Sequence, residues 1–125
     1  MDKSVVMTER IAPPAGPFSP AVRSGGTLYL SGQVAQDPAT GRLVAGDVSR
    51  QTEQIFANVS SVLEAADMTF ANVVRVGVFL TDIRDFQPMN AVYARFFDAP
   101  YPARTTVAVA ALPLGAAVEI DLVAQ

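Results

Sequence analysis

Apolar residues recur along this chain with two periods, and the switches between them mark its elements. A period of two runs through Thr27 to Val34. Leu28, Leu30 and Val34 fall on one side there; Tyr29, Ser31 and Gln33 fall on the other. The same alternation runs through Val73 to Leu80, with Val74, Val76, Val78 and Leu80 opposite Val73, Arg75, Gly77 and Phe79. It returns in Ala117 to Val123, where Val118, Ile120 and Leu122 alternate with Glu119 and Asp121. A β-branched run beginning at Arg104 predicts another strand, and Val5 to Thr8, Ala21 to Ser24 and Arg42 to Val44 predict shorter ones. Helical spacing appears twice. Asp47 caps a predicted helix to about Ala66, with Val48, Ile55, Phe56, Val59, Val62, Leu63 and Ala66 inward and Asn58 and Ser61 on the wet face. Asp85 caps a second to about Phe97, burying Phe86, Met89, Tyr93, Phe96 and Phe97 and holding Pro88 in its first turn.

Turn chemistry joins these pieces. Gly25-Gly26 is a hairpin signal, and Asp37 to Gly41 and Leu112 to Gly115 read as turns. Four prolines between Ala12 and Pro20 stiffen a loop that displays Phe18. The order β-β-β-(β)-α-β-α-β-β places the chain in the α+β class, as one domain over residues 1–125 with both helices on one face of a sheet.

Composition narrows the chemistry. Nine basic against twelve acidic residues give a net charge of −3, with no basic block for nucleic acid or an anionic membrane. The chain has no cysteine and no histidine. Thiol chemistry, Ser-His and Cys-His pairs and the usual zinc sites are therefore excluded. Asp82 and Asp85 lack further ligands, so no metal site is expected, and acid–base work falls to carboxylates, tyrosine, lysine, backbone or water. The first residues lack the apolar core of a signal peptide and no run approaches a membrane span, so the expected compartment is the cytoplasm.

Two charged residues stand out. Arg104 sits at the mouth of its strand behind Pro100 and Pro102, a planar donor fork suited to a carboxylate or phosphate. Alternation places it on a second sheet face with Tyr29, Ser31, Gln33, Arg75, Phe79, Thr106, Ala108, Glu119 and Asp121. That face is too apolar for open solvent and too polar for a dry core, which points to self-association. On this reading Arg104 and Glu119 lie on adjacent strands with the same parity. They form either a site or a cross-strand ion pair.

The chain resembles the RidA/YjgF family of enamine/imine deaminases. The resemblance rests on Gly16-Pro17-Phe18-Ser19-Pro20, Leu30-Ser31-Gly32-Gln33-Val34, Val78-Phe79-Leu80-Thr81-Asp82, Asn90-Ala91-Val92-Tyr93 with Phe96-Phe97, Tyr101-Pro102-Ala103-Arg104-Thr105, and Val118-Glu119-Ile120. It implies a chorismate-mutase-like fold, a homotrimer with clefts between subunits, and hydrolysis of 2-imino or 2-enamino acids to 2-keto acids and ammonia without a cofactor. It makes Arg104 the carboxylate grip and Glu119 the residue that positions the attacking water. Phe18, Ser31, Gly32, Asn90 and Thr106 would line the cleft. Phe18 stands where well-known members carry tyrosine, and Thr106 where many carry cysteine. The rival reading is a non-catalytic trimer that binds small carboxylates as a sensor or scavenger. Glu119 separates the two, because a carboxylate beside an anion site hinders binding and serves proton handling.

Overall fold

The computed structural model describes residues 2–125. Its strands are β1 Lys3–Val6, β2 Ala21–Ser24, β3 Thr27–Gln33, β4 Val73–Leu80, β5 Ala103–Ala108 and β6 Val118–Ala124. Its helices are α1 Val48–Ala65 and α2 Phe86–Tyr93. The strands make one sheet in the order β1-β2-β3-β6-β4-β5. Consecutive hairpins join β1, β2 and β3, the second closing through Gly25 at φ 60°. The β4–β5 connection carries α2 across the sheet, and these two strands pair parallel, as a crossover requires. The chain then returns through β6, which runs antiparallel to both β3 and β4 and fills the position between them.

One face of this sheet is covered. Helix α1 starts where Asp47 accepts a hydrogen bond from the Arg50 N–H at 3.1 Å. Its Ile55, Phe56, Val59, Val62 and Leu63 pack on Leu28, Leu30, Val76, Val78, Leu80, Val118, Ile120 and Leu122 in a single core. Helix α2 lies beside α1 and adds Met89, Tyr93 and, just past its end, Phe97. Rings of Phe56, Phe70, Tyr93, Phe96 and Phe97 interlock at 4.5–5.9 Å between centroids, edge-on or tilted except for the stacked pair Tyr93–Phe97. The opposite face has no cover from the described residues and presents Tyr29, Arg75, Phe79, Val107, Glu119 and Asp121.

Several expectations shift. The first strand lies at Lys3–Val6 rather than Val5 to Thr8, and Arg42 to Val44 supplies only a bridge from Leu43 to Gln36. Helix α2 stops at Tyr93, and turns at Arg95 and Phe96 carry the chain on to Phe97. Asp85 stands at the N-cap position but makes no side-chain cap bond. Asn58 and Ser61 are buried, not wet. Asn58 donates to the Gln36 carbonyl at 2.9 Å, pinning the loop that enters α1, and Gln51 accepts from the Ala117 N–H at 2.9 Å. A bulge between Val73 and Arg75 turns Val73 into the core and leaves Val74 exposed.

The two acidic caps should therefore differ. Asp47→Ala is expected to cost about 1 kcal/mol of stability. Asp85→Ala should stay within about 0.5 kcal/mol. Urea unfolding of the two variants, followed by circular dichroism, checks the difference.

Candidate functional site

Arg104 is held by aromatic rings. In β5 it sits beside Val76 of β4, so its side chain leaves the sheet on the covered face, under α2. There its guanidinium lies over the Tyr93 ring, 4.6 Å from the centroid, and 5.6 Å from that of Phe86. Tyr93 in turn stacks on Phe97 at 4.5 Å, so the platform is continuous with the core. Among the described residues Arg104 has no carboxylate within ion-pair distance; the pairs present are Arg10–Glu64, Arg84–Asp82 and Arg95–Glu53. A half-buried guanidinium oriented by rings, with its charge unanswered, is prepared for an external anion. Asn90 stands one helical turn before Tyr93 on α2, and Thr106 two residues after Arg104 on the same side of β5. Burial raises the Tyr93 phenol above its ordinary pKa, while the Arg104 charge partly offsets the rise.

Glu119 has a different setting. In β6 it pairs with Phe79 on the open face. A bulge in β3 holds Ser31 and Gly32 between Leu30, opposite Leu122, and Gln33, opposite Ile120, and the Glu119 carboxyl reaches over to Gly32. Gly32 leaves room for it: a Cβ would stand 2.9 Å from the Glu119 carboxyl carbon and push the carboxylate from its place. Ser31 donates its hydroxyl to the Ser19 carbonyl at 2.6 Å, and its N–H to Pro20 at 3.0 Å. Ser31 thereby fixes the proline loop, whose half-exposed Phe18 joins Gly32 and Glu119 in lining a pocket of about 190 Å3. Burial raises the Glu119 carboxyl above its ordinary pKa, and Asp121, two residues on along the same face, raises it further. Asp121 lies over Gly77, where a Cβ would stand 2.3 Å from its Oδ1. The two carboxylates are thus seated on two glycines of flanking strands.

These two clusters do not meet within one chain. Arg104 and Glu119 are neither on adjacent strands nor on one face, because β4 lies between β5 and β6 and the β5 register sends Arg104 to the opposite side. Thr106 and Ala108 follow Arg104, and Val107 takes the open face instead. Two strand spacings alone put about 10 Å between their backbones. The cross-strand ion pair is therefore absent. Phe18, Ser31, Gly32 and Glu119 form one cluster; Asn90, Arg104 and Thr106 form the other. Sequence reasoning assigned Phe86 and Tyr93 to the core only. Their second role, under Arg104, depends on the parallel register of β5, which no spacing announces. Among the described residues no group of three or more acidic side chains could hold a metal ion, and no helix is long and apolar enough to cross a membrane.

Comparison with known proteins agrees with the fold. The family described as endoribonuclease L-PSP matches residues 8–125. A 2-iminobutanoate/2-iminopropanoate deaminase from Homo sapiens is 41% identical over 122 residues, covering 98% of this chain and 89% of that protein. The crystal structure of RidA from the Antarctic bacterium Psychrobacter superposes with a TM-score of 0.93 at 40% identity, covering 97% of this chain and 98% of that one. That of Escherichia coli TdcF with bound serine gives 0.91 at 35% identity, with 97% of each chain covered. With its full-length match, its shared fold and relatives at this level of identity, the chain belongs to the RidA/YjgF family, the group described as endoribonuclease L-PSP.

Proposed function

We propose that the chain assembles as a homotrimer and hydrolyses 2-imino acids, with their 2-enamino tautomers, to 2-keto acids and ammonia at clefts between subunits. The observation that carries this reading is the separation of two complementary half-sites. One chain presents an anion grip without a base, and elsewhere a desolvated carboxylate without a cation. The uncovered face, with Tyr29 48% and Val107 39% exposed, supports packing against other copies. A relative named as an imine deaminase and another crystallised with bound serine, itself a small 2-substituted carboxylate, support the substrate class.

In the proposed reaction Arg104 takes the substrate carboxylate in a two-pronged contact. Glu119 of a neighbouring subunit accepts a proton from water as the water oxygen bonds to the imine carbon. The C=N bond becomes single as Glu119 passes that proton on to the nitrogen, giving the neutral tetrahedral intermediate. Glu119 then takes the proton of its hydroxyl as the oxygen closes to the ketone, and hands it to the departing nitrogen, which leaves as ammonia. Free imines already hydrolyse in water, so positioning and one proton shuttle suffice. The raised proton affinity of Glu119 suits a group that both takes and gives a proton. RNA cleavage, which the family description names, finds little support in a chain of net charge −3 without histidine.

Three measurements test the proposal. Sedimentation equilibrium at micromolar concentration should give three chains per particle, and a stable monomer would remove the shared cleft. Arg104→Lys should lower kcat/KM by about 30- to 1000-fold and weaken 2-oxobutanoate in calorimetry, because lysine lacks the planar fork. Glu119→Gln should cut ammonia release while the keto acid still binds; turnover at the parent rate would make Glu119 structural. If the parent binds keto acids but turns over no imine, the clefts are carboxylate sensors instead.

Acidity provides the further check. Glu119 works ionised, and its pKa is raised, so kcat/KM should fall on acidification at a pH above the ordinary carboxylate range. Asp121→Asn removes the smaller of the two causes, so it should shift that acidic limb part of the way towards lower pH in the same ammonia-release assay.

A further inference from the structure

Buried polar atoms in folded proteins nearly always have hydrogen-bond partners. Around Arg104 three do not: Asn90 Oδ1, Tyr93 OH and Thr106 Oγ1 are buried without one. Their positions converge. Asn90 and Tyr93 are one turn apart on α2, Thr106 follows Arg104 along the same side of β5, and the guanidinium bridges the two elements by lying over the Tyr93 ring. Tyr93 is only 7% exposed, so its hydroxyl is part of a buried set rather than a surface group.

The chemistry of the neighbours sharpens this. A guanidinium has donors only, so whatever Arg104 offers the phenol oxygen, the phenol proton still lacks an acceptor. The Thr106 hydroxyl proton lacks one too. Two unanswered O–H donors, one on the ring under a permanent cation and one two residues along the same side of its strand, match the acceptor-rich oxygens of an anion. The Tyr93 ring has a separate job, since it stacks on Phe97 at 4.5 Å and meets Phe56 edge-on at 5.8 Å. Packing explains the ring and leaves the hydroxyl unexplained. A phenylalanine there would pack as well and spare the cost of an unmet hydrogen bond.

We propose that Tyr93 is a ligand-contacting residue: its ring seats Arg104, and its hydroxyl, together with that of Thr106, donates to the carboxylate bound there. The free protein then carries unmet hydrogen bonds that binding relieves, so stability is given up at this spot for affinity. This rests on the reading of Arg104 as a carboxylate grip.

The test compares the full-length parent with Tyr93→Phe and Thr106→Val in two measurements: thermal unfolding without ligand, and affinity for 2-oxobutanoate by calorimetry. Tyr93→Phe should unfold at a higher temperature than the parent, because a buried unsatisfied hydroxyl is gone. It should bind 2-oxobutanoate about tenfold more weakly, the scale of one hydrogen bond to a charged group. Thr106→Val should move both quantities the same way. A merely structural tyrosine predicts the opposite pair, lower melting and unchanged affinity, and that result overturns the proposal. So does parent-like affinity in Tyr93→Phe alone. If the parent itself binds no 2-oxobutanoate, the carboxylate reading of Arg104 fails and this assignment falls with it. Parent binding with an indifferent Tyr93→Phe sinks this assignment only.

Discussion

The place of β6 between β3 and β4 decides which side chains share a face and which cannot. A sheet residue has two choices of side, and register makes the choice for a whole strand at once. With β6 inserted, β5 is pushed to the edge beyond β4, and its parallel pairing sets Arg104 level with Val76. Arg104 therefore meets α2, and Glu119 meets Gly32 and the proline loop on the other side. Neither position depends on the other. Each is fixed by core contacts made elsewhere in the sheet, which is how a marginally stable fold can hold reactive groups without collapsing one onto the other.

That separation has an electrostatic consequence. An arginine and a glutamate brought together in one chain would neutralise each other, and the pair would stabilise the fold by about 0–1 kcal/mol if exposed. Kept apart, both remain dissatisfied. Arg104 is held by the faces of two rings rather than by a carboxylate, so its charge is left without an ionic partner among the described residues. Glu119 keeps a raised proton affinity because burial disfavours its charged form, and Asp121, another carboxylate on the same face, adds to the rise. The two glycines that seat these carboxylates, Gly32 and Gly77, are positions where any side chain would displace them. A ligand that carries both a carboxylate and a nearby electrophilic carbon answers both groups at once, provided two copies supply them.

Local pattern made most of the scaffold legible. Alternation gave β3, β4 and β6 to within a residue, the Asp47 cap placed the start of α1, and Gly25-Gly26 gave the hairpin. The family resemblance covered every residue of both clusters except Phe86, though it gave Tyr93 no part in the site. Strand order was not legible, because period-two patterns state which residues share a face within one strand and are silent on neighbours. Hence Arg104 and Thr106 were placed on the wrong face. Bulges at Ser31-Gly32 and after Val73 are invisible to alternation for the same reason. Buried polar residues such as Asn58 and Gln51 escaped notice because their partners are backbone groups distant in sequence.

The most direct measurement is complementation between two inactive variants. Arg104→Ala and Glu119→Gln proteins are each assayed for ammonia release from 2-iminobutanoate generated in situ, then unfolded together in equal amounts, refolded and assayed again. If each cleft draws Arg104 from one subunit and Glu119 from the next, random mixing leaves about a quarter of clefts with both native residues, and activity should return to about that share of the parent. If both residues acted within a single chain, no mixed particle would contain an intact site. Activity that stays at the level of the separate variants, in refolded trimers, would contradict the account.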